Sequence, residues 1–302
     1  MSDTTASLRR KISSAGDLQS VVRSMKALAA SSIGQYEQSV LALGDYYRAV
    51  ELGLSICFRA VDPATLTMGE AKRTETNSIG AVVFGSDQGL VGQFNDVVAD
   101  HVIEILAPLA GKVQIWAVGE RVRARLKDAG LPPVGFFTVP NSVKAITPLV
   151  GQILVESDAH RSPGEIGELH LFYNRPTSGA AYEPFNLKLL PLDEAWSRKL
   201  AEVPWPTKNL PEVIGGGTET LRSLVREYLF VSLFRACAES LASENASRLA
   251  AMQRADKNID ELLENLHGTF HRLRQTSIDE ELFDVISGFE AQSRVDTHQN
   301  VK

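Results

Sequence analysis

All thirteen prolines of this 302-residue chain lie between Pro63 and Pro211. The stretches 1–62 and 212–302 contain none. Proline removes a backbone donor and its ring collides with the preceding turn, so it breaks helix interiors. Two proline-free ends around a proline-punctuated middle therefore predict two long helices flanking a globular insert. Such ends lie far apart in sequence yet can pair in space, which suits a mechanical part better than a catalytic one.

The C-terminal end carries the clearer pattern. Leu221, Tyr228, Ala242, Leu249, Leu263 and Phe270 fall on one seven-residue series. Leu224, Val231, Ala238, Met252, Ile259, Leu266 and Leu273 fall on the other. This is the a/d repeat of a coiled-coil seam, sustained for about seven heptads. Arg235, Asn245 and Asp256 interrupt it. Polar intrusions of this kind weaken a seam, but they can fix its register or face a different partner. Near the start, Leu8, Ile12, Ala15, Leu18, Val22, Met25, Ala29 and Ser32 recur at helical spacing, with small residues that permit close backbone approach. A helix this long cannot bury its stripe alone. The economical solution packs the first and last segments against each other, antiparallel. Separate bundles or an intermolecular coiled coil stay open on periodicity alone.

The middle alternates strand-like and helix-like segments. SIGAVVFG (78–85), KVQIWAVG (112–119) and GFFTV (135–139) read as strands, and ELHLFYNRP (168–176) with FNLKLLPL (185–192) as a terminal strand pair. Phe94–Leu109, the stretch from Glu120, and Ser142–Ser157 read as helices. That alternation predicts a largely parallel, Rossmann-like sheet. The loop after the first strand, GSDQGLVGQFN (85–95), is glycine-rich and sits where phosphate loops sit. It lacks the GxGxxG spacing, and GxxxxGK[ST] occurs nowhere in the chain. A tight turn is the expected reading.

Composition excludes more than it specifies. A net charge of -6 gives no general basic footprint for nucleic acid. Cys57 and Cys237 form neither a disulfide framework nor a zinc motif. No apolar run has the roughly 18 residues of a membrane span, and the start has no signal-peptide core. His267 and His271, with Glu264 one turn earlier, share a helix face that can hold a metal, but no HExxH motif accompanies them. A charged helix face is the expected reading, and no catalytic, cofactor-binding or metal residues are assigned.

Three segments together carry a resemblance. KISSAGDLQSVVRSMKALAASS (11–32), SDQGLVGQFN (86–95), and ESLASENASRLAAMQRADKNID (239–260) followed by RQTSIDEELFDVISG (274–288) occur in the order found in the gamma subunit of F-type ATP synthases, which the chain resembles over nearly its whole length. The resemblance implies a rotary shaft: an antiparallel coiled coil inside a ring of alternating alpha and beta subunits, with an α/β foot seated beside the epsilon subunit on the membrane-embedded c-ring. It implies no catalytic site and no cofactor on this chain, and a peripheral position on the cytoplasmic face of a bacterial inner membrane. It also implies roles for single residues. Glu244, Arg248, Gln275 and Glu281 correspond to polar catches for the beta subunits, and Leu282, Phe283, Val285, Ile286 and Phe289 to an apolar tip that turns in its sleeve. Departures from the family pattern, Gln88, Val91 and Asp279 among them, mark a divergent branch, as an alternative bacterial ATPase would be.

The expected fold is thus α+β. Residues 1–60 form one helix of the coiled coil, 61–77 a linker, 78–210 the Rossmann-like domain, 211–290 the second helix, and 291–302 a disordered tail. A nucleotide-binding α/β enzyme and a free coiled-coil scaffold are the competing functions.

Overall fold

The computed structural model describes residues 4–60, 79–108, 113–159, 168–177, 182–192, 194–209, 211–212 and 217–299. The expected linker at 61–77 lies outside them. Two long helices, α1 (Thr5–Ala60) and α6 (Gly217–Gln299), open and close the chain. Between them run β1 (Ile79–Phe84), α2 (Phe94–Leu106), β2 (Val113–Val118), α3 (Glu120–Asp128), β3 (Gly135–Phe137), α4 (Val143–Ala159), β4 (Glu168–Pro176), β5 (Tyr182–Leu190) and α5 (Glu194–Ala201). The chain divides into two compact units, one of Met1–Ala27 with Met252–Lys302 and one of Leu28–Ala251.

The first unit is an antiparallel pair made by the start of α1 and the end of α6. Leu8, Ala15 and Val22, seven apart on α1, are buried, as are Met252 and Ile259 on α6. Register is set by polar pairs beside this seam. Gln19 Nε2 donates to Asp260 Oδ1. Arg23 Nε lies 3.2 Å from Asp256 Oδ1 and Lys26 Nζ 2.8 Å from Asp256 Oδ2. The Arg9 guanidinium sits 5.8 Å above the Phe270 ring. Asp256, an interruption when only the heptad is considered, is therefore the residue that sets alignment. Leu18 departs from expectation: it is 53% exposed. With 8, 15 and 22 on one series, the companion positions fall four residues later, at 12 and 19, so Leu18 is turned outward.

Asp256 makes the pair acid-sensitive. Its hydrogen bond to Lys26, with Arg23 adding to it, holds the carboxyl below the usual carboxylate range. A depressed native pKa contributes stability above the unfolded value, near 4, that is lost as pH falls through the native value. Circular dichroism of the full chain is expected to show an acid step below about pH 4 that Asp256→Asn removes. Identical acid titrations of the two proteins would contradict this.

The second unit is a layered α/β body with helices on both faces of one sheet. Strand order is β3-β2-β1-β4-β5. β1 runs parallel to β2 and β4, β2 runs parallel to β3, and β5 runs antiparallel to β4. Because both faces are covered, β1 is buried at every position rather than at alternate ones. Val98, Ala99 and Val102 of α2, with Val122 and Leu126 of α3, cover Ala81, Val83, Ile115 and Ala117. The opposite face packs Val82, Phe84, Trp116, Val118 and Leu171 against Ile146, Val150 and Ile153 of α4 and against the two long helices. Those helices supply Val50 and Leu54 from α1, and Leu233, Cys237 and Leu241 from α6. They are antiparallel here too: Tyr46 Oη lies 2.6 Å from Glu227 Oε2, and Tyr47 and Tyr228 have ring centroids 6.0 Å apart.

Three features differ from expectation. Nearly every residue of α6 between Tyr228 and Ser247 is buried or half-buried, so this stretch is not one strand of a solvent-lapped rod; the sheet body covers a second side. The short α5 has no separate sequence signal, and its Trp196 fills the gap between Phe58 and Tyr228. The region expected to be a disordered tail is helical as far as Gln299, because no proline follows Pro211 to stop α6. The helix also begins at Gly217 rather than at 211.

Candidate functional site

The glycine-rich loop that follows β1 is closed by its own side chains. The Ser86 N–H donates to Asn95 Oδ1 at 2.9 Å, Asn95 Nδ2 donates to Ser86 Oγ at 2.8 Å, and Ser86 Oγ donates to the Gln88 carbonyl at 2.8 Å. Asp87 spans two neighbouring segments. Its Oδ1 accepts from the Glu120 N–H at the start of α3, 2.9 Å away, and its Oδ2 from the Val139 N–H, 2.8 Å away. A carboxylate in that place satisfies a helix N-terminal donor and the positive end of the helix dipole. A phosphate would need the same positions.

Close backbone approach accounts for the glycines. Gly119 has φ +113°, and a Cβ there would lie 2.8 Å from the Ser86 backbone. A Cβ on Gly85 would lie 2.4 Å from Val122 Cβ. The glycines bring loop and helix together instead of opening a cradle. SDQGLVGQFN is a structural knot whose Asp87 and Asn95 are its ties. Leu90, at the tip, adopts φ +62° and is 62% exposed, which the sequence does not foretell.

The knot meets α6. Ser247 Oγ donates to the Val91 carbonyl. The next residue, Arg248, pairs its Nη2 with Glu244 Oε1, one turn back along the helix, at 2.6 Å, with both side chains largely buried. Burial pushes the Glu244 carboxyl above its usual range, against the pull of Arg248. Burial also raises the Tyr36 phenol, and the Cys237 and Glu244 charges add to it. Glu244 and Arg248 are therefore closed on each other within the second unit of this chain, where the family correspondence leads one to expect free catches. Gln275 and Glu281 are exposed, and both belong to the first unit. The four residues are not brought together.

The predicted tip is an exposed apolar face. Ile278, Leu282, Phe283, Val285 and Ile286 are all exposed, Phe283 to 69%. The side chain of Phe289 lies outside the described residues. Five large apolar side chains exposed within nine residues of one helix are more than the scattered single exposures ordinary for a protein surface. His267 and His271 are exposed, and among the described residues no group of three or more His, Cys, Asp or Glu is arranged to hold a metal ion. Among the described residues no helix is long and apolar enough to cross a membrane.

Known proteins with this arrangement converge on one family. A family model described as ATP synthase matches residues 4–292. The ATP synthase gamma chain of Clavibacter sepedonicus is 29% identical over 294 residues, covering 93% of this chain and 95% of that one. The gamma chain of Desulfitobacterium hafniense is 26% identical over 288 residues, covering 94% and 97%. Among solved structures, a chain of the Euglena gracilis mitochondrial ATP synthase superposes with a TM-score of 0.61 at 18% identity, covering 95% of this chain and 94% of that chain. A chain from the central stalk and c-ring of the Tetrahymena thermophila mitochondrial enzyme gives 0.55 at 19% identity, covering 78% and 99%. Matched by that family model from residue 4 to residue 292, this chain belongs to the ATP synthase family.

Proposed function

We propose that this chain is the central shaft of an F-type ATP synthase, a non-catalytic subunit that couples ion-driven turning of a c-ring to conformational change in an alpha/beta hexamer. The observation that carries this reading is the far end of α6. It continues beyond Phe270, which sits under Arg9 near the start of α1, and presents Ile278 to Ile286 as an exposed apolar face. An apolar face makes no directional bonds, so it can turn within an apolar sleeve while staying dehydrated. An asymmetric helix pair offers each surrounding subunit a different surface. It can therefore bias each toward a different conformation in proportion to its differential contact free energy.

Gln275 and Glu281, exposed beside the apolar face, are the polar groups best placed to catch a passing subunit. Glu244 and Arg248 can join them only by opening their mutual pair. The α/β body is the foot, contacting an epsilon subunit and the c-ring, and the chain is peripheral on the cytoplasmic face of a bacterial inner membrane. The closed glycine loop argues against the nucleotide-binding enzyme, since Asp87 occupies the donors a phosphate would use.

Affinity capture of the tagged chain from native membranes tests this. Alpha, beta, epsilon and c subunits are expected to be recovered with it in fixed proportion. Their absence would leave a free coiled-coil scaffold as the better account.

A further inference from the structure

Where α1 ends, within the second unit, α5 closes the helix pair. Arg59, in the last turn of α1, reaches the carboxyl end of that short helix. Its Nε donates to the Ala201 carbonyl at 2.6 Å, and its Nη2 donates to the Val203 carbonyl. The last carbonyls of a helix have no partner within it. In α5 the Arg198 carbonyl accepts from the Glu202 N–H and the Leu200 carbonyl from the Val203 N–H, 3.2 and 3.1 Å away. Arg59 takes the Ala201 carbonyl and the one that follows the helix. Its guanidinium therefore stands at the carboxyl ends of two helices, where both macrodipoles favour a cation.

Aromatic rings tie α5 to α6 as well. Trp196 meets Phe58 of α1 edge-on, with ring centroids 6.1 Å apart, and meets Tyr228 of α6 tilted, at 5.0 Å. Aromatic pairs favour such off-parallel geometries. Phe58, Leu200 and Tyr228 are buried, so these contacts belong to the core. The long helices also approach closely here: a Cβ on Gly53 would lie 3.0 Å from Leu224 Cδ2. Glycine weakens a helix interior. At Gly16, Gly34 and Gly44 a Cβ would meet nothing within 4 Å, so close approach to α6 gives Gly53 a reason those three lack. Helices α1, α5 and α6 thus touch pairwise.

A two-helix rod transmits twist only if its strands cannot turn about each other at the loaded end. Apolar packing is non-directional, whereas hydrogen bonds weaken steeply as their angle closes. We infer that α5 is a clasp that fixes the end of α1 to the first turns of α6, with Arg59 as its hook and Trp196 as its wedge, so that α1 carries torque instead of swivelling. This rests on the shaft reading. Arg59 and Trp196 are positioning residues, and they act by holding α1 against α6.

Hydrogen exchange of the full chain tests the hook. Arg59→Met keeps the length of the side chain and removes its donors. Amide exchange is expected to rise about tenfold in the last two turns of α1 and in α5, the factor set by two hydrogen bonds of modest net strength, while β1 and β4 keep their protection. Arg59→Lys leaves a cation between the two helix ends and is expected to restore part of the protection. In the complete ATP synthase carrying this chain, reconstituted in vesicles, ATP hydrolysis is expected to persist with Arg59→Met. The ATP-driven membrane potential per ATP hydrolysed, read with a potential-sensitive dye, is expected to fall, and to recover in part with Arg59→Lys. A merely structural role would raise exchange across the whole second unit and leave that ratio alone. Unchanged or evenly raised exchange overturns the clasp, and so does an unchanged ratio in assembled Arg59→Met complexes. If that variant does not assemble, exchange in the full chain decides. If the unmodified chain fails to assemble with alpha, beta and c subunits, the shaft reading falls instead, and exchange still decides whether α5 holds α1.

Discussion

Leu249→Pro is expected to uncouple ATP hydrolysis from ion transport. The substitution removes the N–H that bonds to the Asn245 carbonyl within α6 and drives a ring into that carbonyl, at a cost of about 3 kcal/mol or more. Leu249 lies on the heptad series and inside a helix that runs unbroken from Gly217 to Gln299. The kink falls just after the buried stretch against the sheet, so the α/β body keeps its own core of Val82, Trp116 and Leu171. Hydrolysis by the catalytic subunits is expected to continue while ATP-driven transport falls to background. Leu249→Ala, which keeps the N–H, is expected to retain most coupling. Transport that survives the proline unchanged would mean that no continuous α6 is needed to carry torque.

The second large effect is Glu244→Ala, expected to destabilise the chain by about 3–5 kcal/mol, because it leaves the buried Arg248 guanidinium without its partner. The Arg248 Nε and the second Glu244 oxygen already lack hydrogen-bond partners among the described residues. Replacing both residues together, Glu244→Met with Arg248→Leu, is expected to be close to neutral, since a buried pair repays little more than its own desolvation. Urea denaturation of the two variants measures the difference; equal losses would show that the pair itself stabilises. The pH signature is opposite to that of Asp256. Burial raises the Glu244 carboxyl, so its share of stability is present below the unfolded carboxylate range and is lost as pH rises through the native value.

The long helices and their pairing are legible in the residues, because proline and heptad spacing act locally and along one axis. Tyr228, Ala242, Met252 and Ile259 are buried where the repeat places them. Strands β1, β2 and β4 are legible as apolar runs for the same reason. The contact between the glycine loop and α6 is not. Ser247 and Val91 are separated by 156 positions, and nothing in either segment names the other as a partner. The second cover on α6 is hidden too, because Ser240, Ser243 and Glu244 look like an exposed polar face until the sheet body closes over them. Glu244 and Arg248 at i, i+4 look like a surface pair for the same reason. Leu18 misleads because a helix stripe read by apolarity alone tolerates a three- or four-residue step, and only Gln19, bonded to Asp260, shows which was taken. The glycine loop is legible as a turn, and the reason lies in contacts: Asp87 reaches Glu120 and Val139 across two connections.

Rotation is the central claim, and it can be watched. Cys57 and Cys237 are both buried, so a single cysteine at the exposed Lys127 on α3 can carry a gold particle. With the alpha/beta ring fixed to a surface and ATP supplied, the particle is expected to turn continuously in one direction and to stop when ATP is withdrawn. A particle that stays still, or only jitters about one angle, while the same complexes hydrolyse ATP would contradict the shaft.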